Sequence, residues 1–323
     1  MIDANGVTPM VLVTGAGGFV GRGLAPRLAA AGYRVRAATR DPHAMPGSDR
    51  IEVVGAGDMA GPVDWGRMLH GVSHVVHLAG IAHATVAIPE ATYMAVNAEA
   101  TRSLAEAARA NGLRRVVLMS SVRAQCGPCA AGVLTEADQP APEDAYGRSK
   151  LQGERCLAEV LATGDCDWTV LRPVVVYGPG VKANMRALQR LAASPWPLPL
   201  GGLAGRRSLV GVDTLSDIVG HVLTSPDAAR ATFLAADPGP LTVAGIVAAM
   251  RAGLGRRPGV LHVPSAPARL AATLVGGGPA WTRLTGDLVV STAALEATGW
   301  QPRETAAEGL ARWMAGRELD RPA

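Results

Sequence analysis

Thr14-Gly15-Ala16-Gly17-Gly18-Phe19-Val20-Gly21 follows an apolar run, Met10–Thr14, and opens a helical stretch that reaches about Ala31. A strand, a glycine-rich turn and a helix in that order form a phosphate cradle. Gly15 permits the tight turn. Gly18 lets a pyrophosphate approach the backbone, and Gly21 permits close packing of helix on strand. Phe19 and Val20 begin the helix, whose first N–H groups have no partner within the helix and sit at its positive dipole end. The stretch therefore predicts dinucleotide binding.

Outward from this turn, short apolar runs alternate with helical ones. Tyr33–Thr39, Ile51–Val54, Val72–Leu78, Val116–Ser120 and Asp167–Leu171 read as strands. Gly61–Leu69, Thr92–Asn111 and Tyr146–Thr163 read as helices. Such alternation argues for βαβ units and a parallel sheet. The expected fold is α/β, a Rossmann doubly wound parallel sheet over 1–173, with a smaller substrate-binding lobe over 174–323 interleaved with that sheet. In the second part Pro195-Trp196-Pro197-Leu198-Pro199 and Gly201-Gly202 break the pattern. Thr214–Leu223, Val243–Leu254 and Thr305–Met314 read as helices there.

Composition narrows the function. The chain has 323 residues, 48% hydrophobic and 18% charged, which suits a packed core and not a disordered chain. The net charge of +4 is small for this size, and Arg114-Arg115, Arg206-Arg207 and Arg256-Arg257 are isolated pairs, so nucleic acid is not an expected partner. Met1 to Pro9 shows no signal-peptide pattern and no apolar run approaches a membrane span, so the expectation is a cytoplasmic protein without a membrane partner. Leu270–Val275 reads as a packed helix. Cys126-Gly127-Pro128-Cys129 has the thioredoxin spacing but lies in a Gly/Pro/Ala loop. Cys156 and Cys166 supply no second pair for zinc, so ordinary loop cysteines are expected.

After the second strand comes Ala38-Thr39-Arg40-Asp41. A guanidinium there matches the 2′-phosphate of NADP, so Arg40 favours NADP. An acidic residue suits the ribose of NAD, and Asp41 keeps that alternative open. Asp58 either bonds the adenine edge or forms a turn. Tyr146 and Lys150 stand four apart on one helix face. A lysine beside a tyrosine is expected to lower the phenol's pKa and fit it for proton transfer to a substrate oxygen.

Together these residues resemble the extended short-chain dehydrogenase/reductase family, of NAD-dependent epimerase/dehydratase type. The carriers are Thr14–Gly21, His77-Leu78-Ala79-Gly80, Asn97, Ser120-Ser121, Tyr146 with Lys150, Arg172-Pro173 and Tyr177-Gly178-Pro179-Gly180. The chain looks closest to enzymes of UDP-linked N-acetylated 6-deoxy-4-keto sugars, through 178–184 and 206–213. The resemblance implies hydride transfer between a nicotinamide and a sugar carbon, with net 4-keto reduction favoured and 4-epimerisation the nearest alternative. Reduction of a non-nucleotide ketone and a non-catalytic NADP sensor are further alternatives. It makes Tyr146 the acid-base group, with Lys150 lowering its pKa and holding the nicotinamide ribose. Ser121, with Ser120 as alternative, bonds the same oxygen. Leu78, Ala79, Gly80 and Pro173 line the nicotinamide half, and Asn97 braces the site. Asn184 and Arg207, with Arg283 in second place, meet the sugar diphosphate, and His83 either faces the sugar or is a structural histidine. A homodimer through the helices of Thr92–Asn111 and Tyr146–Thr163 is also implied. Two departures, Gln125-Cys126-Gly127 in the serine loop and Val175 after the sixth strand, argue against galactose-type epimerisation.

Overall fold

A computed structural model describes residues 8–82, 88–262 and 285–316. The strands are β1 (Met10–Thr14), β2 (Arg34–Thr39), β3 (Ile51–Gly55), β4 (His74–His77), β5 (Arg115–Met119), β6 (Val133–Leu134) and β7 (Asp167–Pro173). They continue as β8 (Val175–Tyr177), β9 (Arg206–Arg207), β10 (Leu209–Gly211), β11 (Ala231–Ala235), β12 (Leu241–Thr242) and β13 (Val289–Val290). Seven of them form one parallel sheet in the order β11-β7-β5-β4-β1-β2-β3. β1, β4 and β5 are buried along their whole length, because a parallel sheet is covered on both faces and needs continuous apolar strands.

The helices are α1 (Phe19–Ala30), α2 (Trp65–Leu69), α3 (Glu90–Met94), α4 (Ala100–Ala110), α5 (Ala145–Val160), α6 (Ala183–Ala193), α7 (Val212–Val222) and α8 (Val243–Gly253). α1 and α7 pack together, as do α4 and α5. The two apolar layers, one holding Leu24, Leu28, Leu215 and Ile218, the other Leu104, Leu157 and Leu161, sandwich the sheet. This is the doubly wound α/β fold expected. A third, smaller core around Met185, Met250, Leu310 and Trp313 joins α6, α8 and the helix Ala306–Ala315.

Two helices differ from expectation. α2 begins at Trp65, not Gly61, because Asp64 caps it by accepting the Arg67 N–H. The helix expected over 92–111 starts at Glu90 and contains a π turn, Ala95–Glu99, centred on Asn97. The apolar stretch 270–275 lies outside the described residues.

Strand order reverses between β1 and β4, whose last residues, Thr14 and His77, are register partners. A doubly wound sheet opens its crevice at the carboxyl ends of the strands flanking such a switch point. The glycine turn and the loop after β4 meet there.

Candidate active site

Gly15 adopts φ 67, and a Cβ on it would stand 2.8 Å from the Ala79 amide nitrogen. Only glycine fits both the left-handed backbone and that contact. α1 starts at Phe19 with no side-chain cap, so its first amides are left for a ligand. Thr14 Oγ1 accepts the Ala79 N–H (3.1 Å) and lies 2.8 Å from His77 Nδ1, which ties the ends of β1 and β4 into one support. Burial, then the Lys150 charge, lowers His77 to about 3, so its ring stays neutral. Uncapped amides beside a glycine that tolerates no side chain fit a dinucleotide pyrophosphate.

The serine pair directly follows β5, and the tyrosine and lysine open α5. Ser120 is committed elsewhere: its hydroxyl donates to Glu154, which also holds Arg172 through contacts of 2.5 and 3.0 Å. Arg172 Nη1 donates to Gln125 Oε1 at 2.9 Å. Ser121 faces the other way, accepts the Arg123 N–H (3.2 Å) and shares a side-chain hydrogen bond with Tyr146. Neighbouring residues of extended chain point to opposite sides, so only one of the two serines can meet the phenol.

Lys150 Nζ donates to the Met119 carbonyl at 2.8 Å. Burial lowers the ammonium to about 8, while the Glu154 carboxylate opposes that shift. The expected lowering of the Tyr146 pKa by Lys150 is not what the structure shows. Burial raises the phenol above its ordinary range, and the pull downward comes from Ser121. Tyr93 packs beside Tyr146 at a ring-centroid distance of 6.1 Å.

Asn97 braces this centre from the π turn. Its side chain bonds both Ile81 backbone groups (2.9 and 3.0 Å) and Ser149 Oγ (3.0 Å). The shifted turn leaves the Asn97 carbonyl to Thr101 Oγ1 (2.9 Å). A Cβ on Gly80 would meet Asn97 Oδ1 at 2.7 Å and Lys150 Nζ at 3.3 Å, so the loop Leu78–Gly80 lies directly against the catalytic candidates. Pro173 is buried at the end of β7.

Arg40 is exposed just past β2 and has no ion pair or hydrogen bond among the described residues. The Asp41 carboxylate accepts the His43 N–H at 2.9 Å. Asp58 accepts the Ala60 N–H at 3.0 Å, as a turn-forming aspartate does. Asn184 stands exposed in the first turn of α6, after Ala183, which is held at φ 51. Arg207 donates to the Pro128 and Gly286 carbonyls (3.1 and 3.3 Å) beside Cys129, which places it against the serine loop. His83 and Arg283 lie outside the described residues.

The structure also shows partners that spacing did not reveal. Glu154 and Gln125 were readable as a helix residue and a loop residue, and nothing local marked them as the clamp on Arg172. The four cysteines are free thiols, and burial raises Cys126, the reverse of an activated redox thiol. Among the described residues no cluster of metal-ligand type exists, and no helix is long and apolar enough to cross a membrane.

A model of the NAD dependent epimerase/dehydratase family matches residues 11–235. The chain is 34% identical over 307 residues to a UDP-glucose 4-epimerase of Vibrio cholerae, covering 93% of each chain. It is 29% identical to a ceramide reductase of Caulobacter vibrioides, covering 94% of this chain and 99% of that one. Among solved structures it is similar to MoeE5 in complex with UDP-glucuronic acid and NAD, with a TM-score of 0.72, 28% identity, and coverage of 94% and 97%.

Proposed function

The chain belongs to the NAD dependent epimerase/dehydratase family, and from that premise we propose that it is a UDP-sugar 4-epimerase using NAD. The observation that carries the reading is the Ser121–Tyr146 hydrogen bond beside buried Lys150, set against the loop Leu78–Gly80. The relative named UDP-glucose 4-epimerase, and the NAD in the MoeE5 structure, support it.

In this reading the glycine turn and α1 hold the pyrophosphate, and Leu78, Ala79, Gly80 and Pro173 border the nicotinamide. Bound there, a nicotinamide supplies reversible hydride exchange with the sugar carbon. Tyr146 Oη takes the proton of the sugar 4-hydroxyl and gives it back, with Ser121 aligning that oxygen. Tyr146 takes that proton as the phenolate, and Lys150, anchored on Met119, provides the positive charge that stabilises it. Asn184 and Arg207 meet the diphosphate, and the lobe over 174–323 carries them.

The second reading is net 4-keto reduction with NADP, favoured at first by sequence and now placed behind epimerisation. One observation still favours it: Arg40, exposed and unpaired among the described residues, where a 2′-phosphate would sit. Incubation with UDP-glucose or UDP-N-acetylglucosamine and NAD is expected to yield the 4-epimer with no net change in nicotinamide absorbance. Stoichiometric loss of NADPH with a UDP-4-keto sugar, and no epimer, would establish reduction instead. The same choice is read by binding: epimerisation with NAD predicts that Arg40→Ala leaves NAD affinity unchanged. The reductase reading predicts tighter binding of NADP than NAD in the parent, and a loss of about tenfold for NADP alone in the variant.

Lys150 sets a pH dependence. Its folded value, about 8, lies below its ordinary 10.5, so it becomes neutral as pH rises through about 8. The free enzyme's kcat/KM is expected to fall above that pH as the positive charge is lost. Folding stability moves the other way. Between about 8 and 10.5 the unfolded chain still holds the proton, so stability rises with pH across that window. A pH–rate profile and urea unfolding at matched pH values check both signs.

A further inference from the structure

The modest net charge of the whole chain conceals a sharp asymmetry. Residues 168–212 and 238–286 contain no aspartate or glutamate, yet the first holds six lysines and arginines and the second five. Within the described parts of these stretches, Lys182, Arg186, Arg190 and Arg257 are exposed, and none has a carboxylate partner among the described residues. Lys182, Arg186 and Arg190 follow each other at four-residue steps, along one face of α6. Arg190, in the last turn, complements the helix dipole, but helix stability does not account for the other two. Lys182 is the N-cap and Arg186 lies close behind it, at the dipole end that disfavours cations, and the first turn has no acid.

The basic stripe leads into an exposed apolar patch. Trp196 is 73% exposed, Leu261 52% and Leu191 40%. Their loops are fastened together from below. Buried Arg251 donates to the Ser194 and Trp196 carbonyls (3.1 and 2.7 Å) and to those of Pro258 and Gly259 (3.0 Å each). Leu198 N–H donates to Gly259 O at 2.9 Å, and Leu261 N–H to Leu198 O at 2.8 Å. Arg256 donates to the Ala193 carbonyl at the end of α6. An indole raised on a rigid loop, flanked by aliphatic side chains and unpaired cations, matches the interface of an anionic bilayer. There the ring sits at headgroup depth and the cations meet lipid phosphates. A second copy of this chain would set the same cations against themselves.

We propose that the surface formed by α6 and the loops bearing Trp196 and Leu261 docks the protein on an anionic membrane surface. This goes beyond the catalytic reading and does not depend on it, and it departs from the sequence-based expectation of no membrane partner. The binding is peripheral: the cations hold the face to the headgroups while Trp196 enters them.

The test is co-sedimentation of the full chain with vesicles of phosphatidylcholine mixed with phosphatidylglycerol, beside vesicles of phosphatidylcholine alone. The parent is expected on the anionic vesicles only, and to be released as salt is raised. Each cation near such a surface is worth a factor of about five in partitioning, so Arg186→Ala with Arg190→Ala is expected to weaken binding about thirtyfold. Trp196→Ala should weaken it as well, with the melting temperature unchanged. The idea is overturned if the parent ignores anionic vesicles, or if the arginine and Trp196 variants bind as the parent does. Tighter retention on mixed-sequence double-stranded DNA than on the vesicles, indifferent to Trp196→Ala, would also overturn it. Epimerase activity is left intact by any of these outcomes, so failure here is distinct from failure of the proposed reaction.

Discussion

Tyr146→Phe is expected to lower kcat/KM by about 10²–10⁴-fold, the range that a positioned acid-base group contributes. The phenylalanine keeps the ring against Tyr93 and removes only the hydroxyl that Ser121 bonds. Cofactor affinity and melting temperature should therefore stay close to the parent's. Because burial raises the phenol, the parent's activity depends on stabilising the phenolate at the moment it forms. Ser121→Ala removes one of the two groups suited to this and should lose less than the tyrosine variant does. Turnover of a UDP-hexose by chromatography checks the order. A Tyr146→Phe protein with parental kcat would defeat the acid-base assignment.

Glu154→Ala is expected to cost about 3–5 kcal/mol of folding stability, the largest effect of a single substitution away from the reacting groups. Glu154 and Arg172 are almost wholly inside, with 6% and 7% side-chain exposure, and meet at 2.5 Å. Removing the carboxylate leaves a buried guanidinium with one remaining side-chain partner, Gln125, and strips Ser120 of its acceptor. The double replacement Glu154→Leu with Arg172→Met removes both charges and is expected to recover most of the loss, since uncompensated charge, not the missing pair, dominates the cost. Urea unfolding midpoints of the single and double variants decide this. Equal destabilisation in both would show that the pair contributes net stability. Glu154 also raises the Lys150 value, so Glu154→Gln should move the alkaline limb of the pH profile to lower pH.

The clamp explains why the site stands where it does. Ser120 directly follows β5, Glu154 lies in α5, Arg172 in β7 and Gln125 in the serine loop. Their mutual bonds set the relative position of those segments, and so aim Ser121 at Tyr146. Gln125, read from sequence as part of a departure in the serine loop, is a member of this support.

The fold was written locally. The glycine turn between an apolar strand and a helix, followed by regular alternation, dictates the parallel sheet, because periodicity and turn chemistry act over a few residues. The placement of Tyr146 and Lys150 one turn apart on one helix was equally legible, as helix geometry sets a four-residue step. The tertiary structure decided what depends on residues distant in the chain. It committed Ser120 to the support, since Glu154, 34 residues on, takes the Ser120 hydroxyl. It put the phenol above its ordinary range, since burial outweighs the downward pull of Ser121 and Arg123. It also fastened the loop around Leu261 to the end of α6 beside Trp196, through Arg251 and Arg256. Local pattern specifies which elements form. Desolvation and long-range partners then determine the ionisation state and direction of each group, and those arise only when the elements pack.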